Sequence, residues 1–320
     1  MLTVLLATRN RERILKDVLG AYCALDVPAG GWKLVVVDNG SSDQTAEVVA
    51  SFEKRLLIRF LSEPRLGKNF ALNAGLAFLE GDLAVFTDDD AFPRADWLVQ
   101  LRRAADAHRD CSMFGGVVVP RWEQPPPSWV EWVNQAAVYT VTDPSLKEGP
   151  LDPREIYGPN MAIRAEIFRS GARFDTKIGP SGASYPMGSE TEMVLRLGRQ
   201  GHKAWHVQSA VVEHYIRREQ VQQDWVWKRA IRFGRGQYRL YRGGAGAETR
   251  SSFAVALYFL RKMSKQAALM VAGWLCFRKE TVFRAHWRLN CFWGEAMEAR
   301  ILAREGRSPI QSTPGEARSS

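Results

Sequence analysis

Residues 82–90 read DLAVFTDDD, a mostly apolar run that ends in three consecutive carboxylates. An apolar run without polar alternation is typical of a strand covered on both faces, as in a parallel sheet. A carboxylate at the end of such a strand costs free energy unless a cation or a hydrogen-bond donor meets it. The stretch therefore predicts a buried strand over 82–87 whose end carries an acidic site.

The surrounding sequence repeats this pattern. Three further strands are predicted, at 2–8, 33–37 and 56–61. A helical spacing of apolar residues follows each of the four strands, at 14–19, 45–52, 70–79 and 94–107. This alternation predicts a doubly wound α/β fold, with a mostly parallel sheet flanked by helices and ligands at the carboxyl ends of the strands.

The composition is that of an ordinary folded enzyme, with 320 residues, of which 46% are apolar and 25% charged. Disordered, collagen-like and disulfide-scaffold proteins are excluded. The four cysteines form no C-x-x-C pair, so we predict no zinc site and a reducing compartment. The apolar start at 2–6 is too short for a signal peptide, and no apolar run reaches the roughly 17–25 residues of a membrane-spanning helix. We therefore expect a cytoplasmic protein.

The net charge of +9 is concentrated near the C-terminus. Residues 221–320 contain 18 Lys or Arg against 7 Asp or Glu, whereas residues 1–220 contain 26 against 28. Because basic and aromatic residues are interleaved there, we predict that 225–300 contacts the inner face of the cytoplasmic membrane peripherally. An oligomer interface and plain helical packing are the alternatives. No RRM, helix-turn-helix or zinc-finger pattern is present, so nucleic acid is not an expected partner.

The acidic run Asp88-Asp89-Asp90 is the first candidate site. Three adjacent carboxylates repel one another, and a hard divalent cation such as Mg²⁺ or Mn²⁺, shared with phosphate oxygens, is the simplest way to hold them together. The alternative is a solvated turn that caps the helix beginning near Arg94.

A nucleotide site is predicted at the same rim of the sheet. Neither a Walker loop nor a G-x-G-x-x-G motif is present, which argues against P-loop NTPases and dinucleotide dehydrogenases. Thr8 and Arg9 end the first strand, Asp38 ends the second, and Lys68 lies in the next loop. Each of these residues taken singly is more often a helix cap or a solvated charge, so the prediction depends on their common location.

The third candidate is Glu190, at the start of a helix predicted over about 189–200. Ser189 and Glu192 have the spacing of a capping box, which leaves Glu190 without a structural role. The helix dipole favours its ionised form, and we predict that it acts as a general base toward a hydroxyl. The alternative is a charge that only favours the dipole.

The second half of the chain is less regular and richer in tryptophan. Trp122, Trp129 and Trp132 follow or flank a proline run and could stack on the faces of an acceptor sugar. Tryptophans at such spacing are more often core residues, and we expect these three in the core.

Five motifs occur in order along residues 1–215: VLLATRNR, VVVDNGSSDQT, GKNFALNAGLAFLEGDLAVFTDDDAFPRADWL, GPNMAIRAEIF and GSETEMVLRLGRQGH. Together they resemble the family 2 glycosyltransferases, which have the GT-A nucleotide-diphospho-sugar transferase fold. The resemblance implies a GT-A domain over 1–220, with a nucleotide-binding half at 1–115 and an acceptor-binding half at 116–220. A basic helical region at 221–307 and a flexible tail at 308–320 would follow.

The resemblance also implies a role for each candidate residue. The donor would be bound by Thr8, Arg9, Asp38, Asn39, Lys68, Asp88, Asp89 and Asn160. Within that set, Asn160 would shape the sugar site, and Lys68 would replace an arginine that relatives often have where this chain has Leu72. The metal would be held by Asp90, Asp88 and His214, with Asp90 as a direct ligand. Glu190 would be the catalytic base.

The implied reaction is an inverting transfer that depends on Mn²⁺ or Mg²⁺. The donor would be a nucleotide-diphospho-sugar, with a UDP-sugar favoured. The acceptor would be a hydroxyl of a glycan or of a polyprenyl-linked molecule, in polysaccharide or glycolipid biosynthesis for the cell envelope. The alternative is a non-catalytic protein that binds nucleotide-sugars as the partner of another transferase.

Overall fold

The computed structural model describes residues 1–182, 184–242 and 252–304. The chain divides into two compact units: Met1–Ala183 with Ser189–Gln222, and Ser184–Gly188 with Gln223–Ser320. The predicted tail at 308–320 lies outside the described residues.

The described part of the first unit is built on a mixed nine-stranded sheet. Its strands are β1 (Leu2–Thr8), β2 (Trp32–Asp38), β3 (Ile58–Ser62), β4 (Leu83–Asp88), β5 (Ala91–Pro93), β6 (Cys111–Trp122), β7 (Gly149–Leu151), β8 (Met161–Arg164) and β9 (Lys203–Ile216). The spatial order is β3-β2-β1-β4-β8-β6-β9-β5, and β7 also pairs with β9. Strands β1 to β4 are parallel, and β6 is parallel to β9. The antiparallel strands are the short β5, β7 and β8, so the sheet is mostly parallel as predicted.

Helices lie between the strands along the chain. Those of the first unit are α1 (Glu12–Tyr22), α2 (Thr45–Ala50), α3 (Lys68–Gly75), α4 (Trp97–Ala107), α5 (Gln135–Tyr139), α6 (Ala165–Arg169) and α7 (Ser189–Arg199). Single 3₁₀ turns occur at Leu76–Phe78, Ser128–Trp132, Pro153–Glu155, Gly158–Asn160 and Arg218–Val221.

The sheet has a hydrophobic core on each face. Successive residues of a strand point to opposite faces, so Val4 and Leu6 of β1 join one buried cluster and Leu5 joins the other. The first cluster includes Leu15 of α1, and the second includes Leu72 of α3. Because both faces are buried, the central strands are the nearly continuous apolar runs seen in the sequence.

Two predictions about the first unit are wrong in detail. Helix α4 begins at Trp97 rather than near Arg94, because the residues before it form β5 and pair with β9. Trp122, Trp129 and Trp132 are half-buried rather than core residues, because they lie at the end of β6 and in a 3₁₀ turn beyond the sheet.

From Gln223 onward, the described residues of the second unit are mainly helical, whereas its short segment Ser184–Gly188 is not. It contains α8 (Gln223–Gln237), a π-helical turn (Tyr238–Arg242), α9 (Ser252–Leu275) and α10 (Lys279–Arg304). Helix α10 packs against both α8 and α9. At its contact with α8, a Cβ on Gly234 would lie 1.9 Å from the carbonyl oxygen of Cys291, so only glycine fits. None of the described helices is both long enough and apolar enough to span a membrane.

Candidate active site

The carboxyl ends of three neighbouring strands meet at one edge of the sheet. The strand register pairs Thr8 of β1 with Asp38 of β2, and Ala7 of β1 with Asp88 of β4. Asp89 and Asp90 follow Asp88 in the turn before β5. The structure thus brings the predicted nucleotide and acidic residues to a common rim, as parallel strands require.

The three carboxylates of this rim differ in how readily they ionise. Burial and the charge of Asp90 raise the pKa of Asp89 to about 7. Burial also raises the pKa of Asp88, although Lys68 opposes the shift. Asp90 is buried too, but attraction to His214 and nearby arginines lowers its pKa to about 2. Asp90 is therefore held in its ionised form, and further positive charge at this rim would favour the ionised forms of Asp88 and Asp89 as well.

His214 of β9 faces Asp90. Its Nε2 lies 3.4 Å from Asp90 Oδ1, and its Nδ1 lies 2.8 Å from the carbonyl oxygen of Tyr139. Because a carbonyl oxygen only accepts, Nδ1 carries a proton and Nε2 is directed at the carboxylate. Possible ligand atoms of Asp88, Asp90 and His214 all lie within 4.8 Å of one another. Carboxylates suit Mg²⁺ and Mn²⁺, and imidazole binds transition metals, so this donor set fits Mn²⁺.

Lys68 connects the acidic rim to the start of α7. It is the first residue of α3, and its backbone N–H donates to the carbonyl oxygen of Pro180 at 2.9 Å. Its Nζ lies 2.5 Å from Asp88 Oδ1 and 2.5 Å from Glu190 Oε1. Burial opposes the charge on Lys68, but the two carboxylates outweigh it and raise the pKa of the ammonium group. Lys68 is therefore a permanent cation between two acids.

Glu190 lies in the first turn of α7, where the sequence predicted it. Ser189 Oγ donates to Glu190 Oε2 at 2.5 Å, and a Cβ placed on Gly158 would lie 2.8 Å from Glu190 Cδ. Burial opposes ionisation, but Lys68 and Ser189 outweigh it and lower the pKa of Glu190. The carboxylate is thus ionised and closely confined.

The side chains of Ser189 and Glu192 do not form the predicted capping box at the start of α7. Ser189 donates to its neighbour Glu190, and Glu192 accepts from Arg196 Nε at 2.8 Å, one turn further along the helix. The sequence spacing is compatible with a capping box, but Glu192 instead pairs with Arg196, four residues later on the same helix.

The residues predicted to hold the nucleobase and phosphates lie at the ends of β1 and β2. Thr8 is buried and Arg9 is exposed. Asp38 accepts hydrogen bonds from the backbone N–H and the hydroxyl of Ser41, which shape the loop after β2. These three residues remain adjacent to the acidic rim, as predicted.

Asn39 faces the interior of the neighbouring loop rather than the open rim. Its Nδ2 donates to the carbonyl oxygens of Glu63 at 3.0 Å and Arg65 at 2.8 Å, and its Oδ1 accepts from the backbone N–H of Gly67 at 2.7 Å. Contact with a nucleobase would require these bonds to break. The predicted role of Asn39 is therefore revised: it holds the loop that leads to Lys68.

Asn160 is fully buried, with 0% of its surface exposed. Its Nδ2 donates to the carbonyl oxygens of Val117 and Ala210, each at 2.9 Å, and its Oδ1 accepts from Trp97 Nε1 at 2.8 Å. These bonds connect Asn160 to β6, β9 and α4. The side chain of Asn160 is thus enclosed in the core and open to no ligand, and its role in shaping the sugar site stays a prediction.

Sequence reasoning missed two arginines at the acidic rim. Arg11 Nε lies 3.9 Å from Asp89 Oδ1, and Arg217 Nη1 lies 3.7 Å from Asp90 Oδ2. Arg11 lies in the motif VLLATRNR, and Arg217 lies three residues after His214. Their closeness in sequence to predicted site residues could therefore have indicated them. Both add positive charge where three acids meet.

The chain is similar to known proteins over much of its length. The family model described as Glycosyl transferase family 2 matches residues 3–170, more than half of the chain. The glucosyl-dolichyl phosphate glucuronosyltransferase of Haloferax volcanii is 23% identical over 198 residues, 61% of this chain and 62% of that protein. The poly(ribitol-phosphate) beta-N-acetylglucosaminyltransferase TarS of Staphylococcus aureus is 25% identical over 175 residues, 51% of this chain and 30% of that protein. The chain thus matches less than two thirds of the length of these relatives.

Solved structures share the fold. The mannosyltransferase PcManGT from Pyrobaculum calidifontis, in complex with GDP-Man and Mn²⁺, has a TM-score of 0.57 and 19% identity, over 91% of this chain and 87% of that one. Residues 1–349 of S. aureus TarS have a TM-score of 0.53 and 14% identity, over 96% and 92% of the two chains. The predicted GT-A fold with C-terminal helices is confirmed. Because the family model covers more than half of its residues, the chain belongs to glycosyl transferase family 2, the family that its motifs predicted.

Proposed function

We propose that the chain is a metal-dependent, inverting glycosyltransferase that moves a sugar from a nucleotide-diphospho-sugar to an acceptor hydroxyl. The observation that carries the proposal is the position of Lys68, whose Nζ lies 2.5 Å from both Asp88 Oδ1 and Glu190 Oε1. The two carboxylate oxygens are therefore separated by at most twice that distance. A transferase needs this proximity, because the group that activates the acceptor must lie beside the bound donor.

Glu190 is the proposed base. Its carboxylate accepts the proton of the acceptor hydroxyl while the hydroxyl oxygen forms a bond to the anomeric carbon of the donor. The bond from that carbon to the diphosphate oxygen breaks in the same step, and the diphosphate leaves with the bonding electrons. Attack from the face opposite the leaving group inverts the configuration of the anomeric carbon.

Asp88, Asp90 and His214 are the proposed metal ligands, and their close approach supports this role. A divalent cation bound there would stabilise the negative charge of the departing diphosphate. Arg11 and Arg217 add positive charge on the same side of the site. Their charge balances the acidic rim and favours an anionic ligand.

The proposed donor site uses the ends of β1 and β2. Thr8 and Arg9 are the proposed contacts to the phosphates, and Asp38 and Asp89 are the proposed acceptors of hydrogen bonds from the nucleobase or ribose. Lys68 is the proposed cation for the diphosphate, because it is the charged side chain between the acidic rim and Glu190.

The proposed donor is a UDP-sugar, because S. aureus TarS has been solved with UDP and with UDP-GlcNAc. The proposed acceptor is a glycan or a lipid-linked molecule, because the relatives are named for poly(ribitol-phosphate) and glucosyl-dolichyl phosphate. A lipid-linked acceptor favours a peripheral location at the inner face of the cytoplasmic membrane.

Donor binding is the first test. Thermal denaturation with UDP-, GDP- and dTDP-sugars, with and without Mn²⁺, should show a higher Tm for at least one donor, and a larger increase with Mn²⁺. If no donor changes the Tm, the proposed function is wrong.

Turnover is the second test. Glu190→Gln should lower the release of nucleoside diphosphate by on the order of 10²–10⁴-fold while the donor-induced Tm shift persists. Glu166→Gln is the matched control, because Glu166 is also in the first turn of a helix but is exposed, and it should keep wild-type turnover. Wild-type turnover by Glu190→Gln would refute the base assignment, and donor binding without turnover by the wild-type protein would favour a non-catalytic partner.

A further inference from the structure

Helix α9 has one face that is packed inside the second unit. Phe259, Gln266 and Gly273 are buried along this face, at the spacing of a helical stripe. A Cβ on Gly273 would lie 3.0 Å from Val282 Cγ2 of α10. This stripe therefore accounts for the packing of α9 against α10.

The opposite face of α9 is apolar, and it is exposed. At 100° per residue, Leu257, Leu260, Val271 and Leu275 lie on the side of the helix away from the buried stripe. All four side chains are exposed. Because the buried stripe already accounts for the packing of α9, the exposed apolar face has no partner among the described residues and calls for an apolar environment outside the unit.

The turn from α9 to α10 extends this apolar surface. Trp274 is 72% exposed and Phe277 is 92% exposed, the latter in the left-handed conformation at φ 56°. Large aromatic side chains with this exposure are characteristic of residues that insert at a membrane interface. We refer to Leu257, Leu260, Val271, Trp274, Leu275 and Phe277 as the α9 apolar surface.

Glu280 follows the turn, but within residues 252–279 every charge beside the α9 apolar surface is positive. Arg261 and Lys265 are exposed next to it, and Arg278 and Lys279 follow the turn. Residues 252–279 contain no Asp or Glu. A second copy of the chain would bring like charges together across a two-fold axis, with no acid in the segment to pair with them. An anionic lipid surface provides both an apolar layer and negative charge.

We propose that the α9 apolar surface docks on an anionic lipid bilayer, with Trp274 and Phe277 inserted at the interface and the flanking basic residues at the headgroups. The biological role of this docking rests on the proposed function, because docking would bring the enzyme to a lipid-linked acceptor. It differs from the general prediction for 225–300 in assigning the contact to one face of one helix and the turn that follows it.

The test measures binding of the full chain to vesicles by co-sedimentation. The wild-type protein should bind vesicles of phosphatidylcholine with phosphatidylglycerol, and should bind those of phosphatidylcholine alone more weakly. The double variant Trp274→Ser/Phe277→Ser should bind the mixed vesicles at least about tenfold more weakly, because two exposed aromatics lose their burial in lipid. Arg261→Gln and Lys265→Gln should each weaken binding by about fivefold, and high salt should remove this difference.

The matched control replaces two other strongly exposed apolar residues, which lie outside the second unit, in Val27→Ser/Leu57→Ser. This variant should bind the mixed vesicles like the wild-type protein. Unchanged circular dichroism and Tm would show that each variant is folded, which we expect because the replaced side chains are exposed.

Two results would overturn the proposal. One is equal binding of the wild-type protein and Trp274→Ser/Phe277→Ser to the mixed vesicles. The other is a wild-type dimer that this double variant abolishes, in a protein that binds no vesicles, because a second copy would then occupy the surface. Release of nucleoside diphosphate from a water-soluble donor separates the two proposals: turnover without vesicle binding refutes the docking alone, and vesicle binding without turnover refutes the proposed function alone.

Discussion

Replacement of Gly158 by alanine tests whether the position of Glu190, and not only its charge, matters for turnover. A Cβ on Gly158 would lie 2.8 Å from Glu190 Cδ and 2.9 Å from Glu190 Oε1. Ordinary contacts begin at 3.4 Å, so the carboxylate must move by about 0.6 Å. Gly158 does not have a positive φ, so alanine adds no backbone strain. The substitution therefore acts through this steric contact.

The expected effect is a loss of turnover with little loss of stability. The displaced atoms belong to the end of a side chain, which can move without disturbing the core, so the Tm should change little. Misplacement of a reacting group by 1 Å can cost about 10²-fold in rate, so we expect Gly158→Ala to lower kcat by on the order of 10- to 100-fold. The donor-induced Tm shift should persist, because the change is at Glu190 and not at the nucleotide rim.

Release of nucleoside diphosphate from the donor is the assay, with Gly20→Ala as the matched control. A Cβ on Gly20 meets no atom within 4 Å, so this variant should keep wild-type kcat. Wild-type kcat in folded Gly158→Ala would refute the argument that the confinement of Glu190 positions it for catalysis.

Two further predictions concern the loop before Lys68. Asn39→Ala removes three hydrogen bonds to this loop and leaves buried backbone groups unpaired, so the free energy of unfolding in urea should fall by about 2–3 kcal/mol. An unchanged urea midpoint would contradict the supporting role of Asn39. Arg65 lowers the pKa of Glu63 from its ordinary 4.5 to about 2, so ionised Glu63 contributes stability above pH 4.5 that is lost as the pH falls toward 2. Glu63→Gln should therefore lower the Tm at pH 7 but not near pH 2, and a Tm difference independent of pH would exclude this explanation.

The strands that form the acidic rim were predictable because the pattern is local. Each central strand is a nearly continuous apolar run, since alternate residues enter cores on opposite faces of the sheet. The acids that follow β2 and β4 then had to meet at one edge, because parallel strands end on the same side. Fold class and the location of the acidic rim could thus be derived from spacing alone.

The tertiary structure alone decided which side chains act together at that rim. Lys68 and Glu190 are 122 residues apart, and no local pattern indicates that they meet. Asp38 and Asn39 are adjacent in the chain, yet their side chains bond to different loops. Asn39 bonds to the loop before Lys68, whereas Asp38 bonds to Ser41 in the loop after β2. His214 reaches Asp90 only because β9 pairs with β5. Periodicity is set by the immediate neighbours of a residue, whereas the hydrogen-bond partner and charge environment of a side chain depend on which distant strands and helices pack beside it.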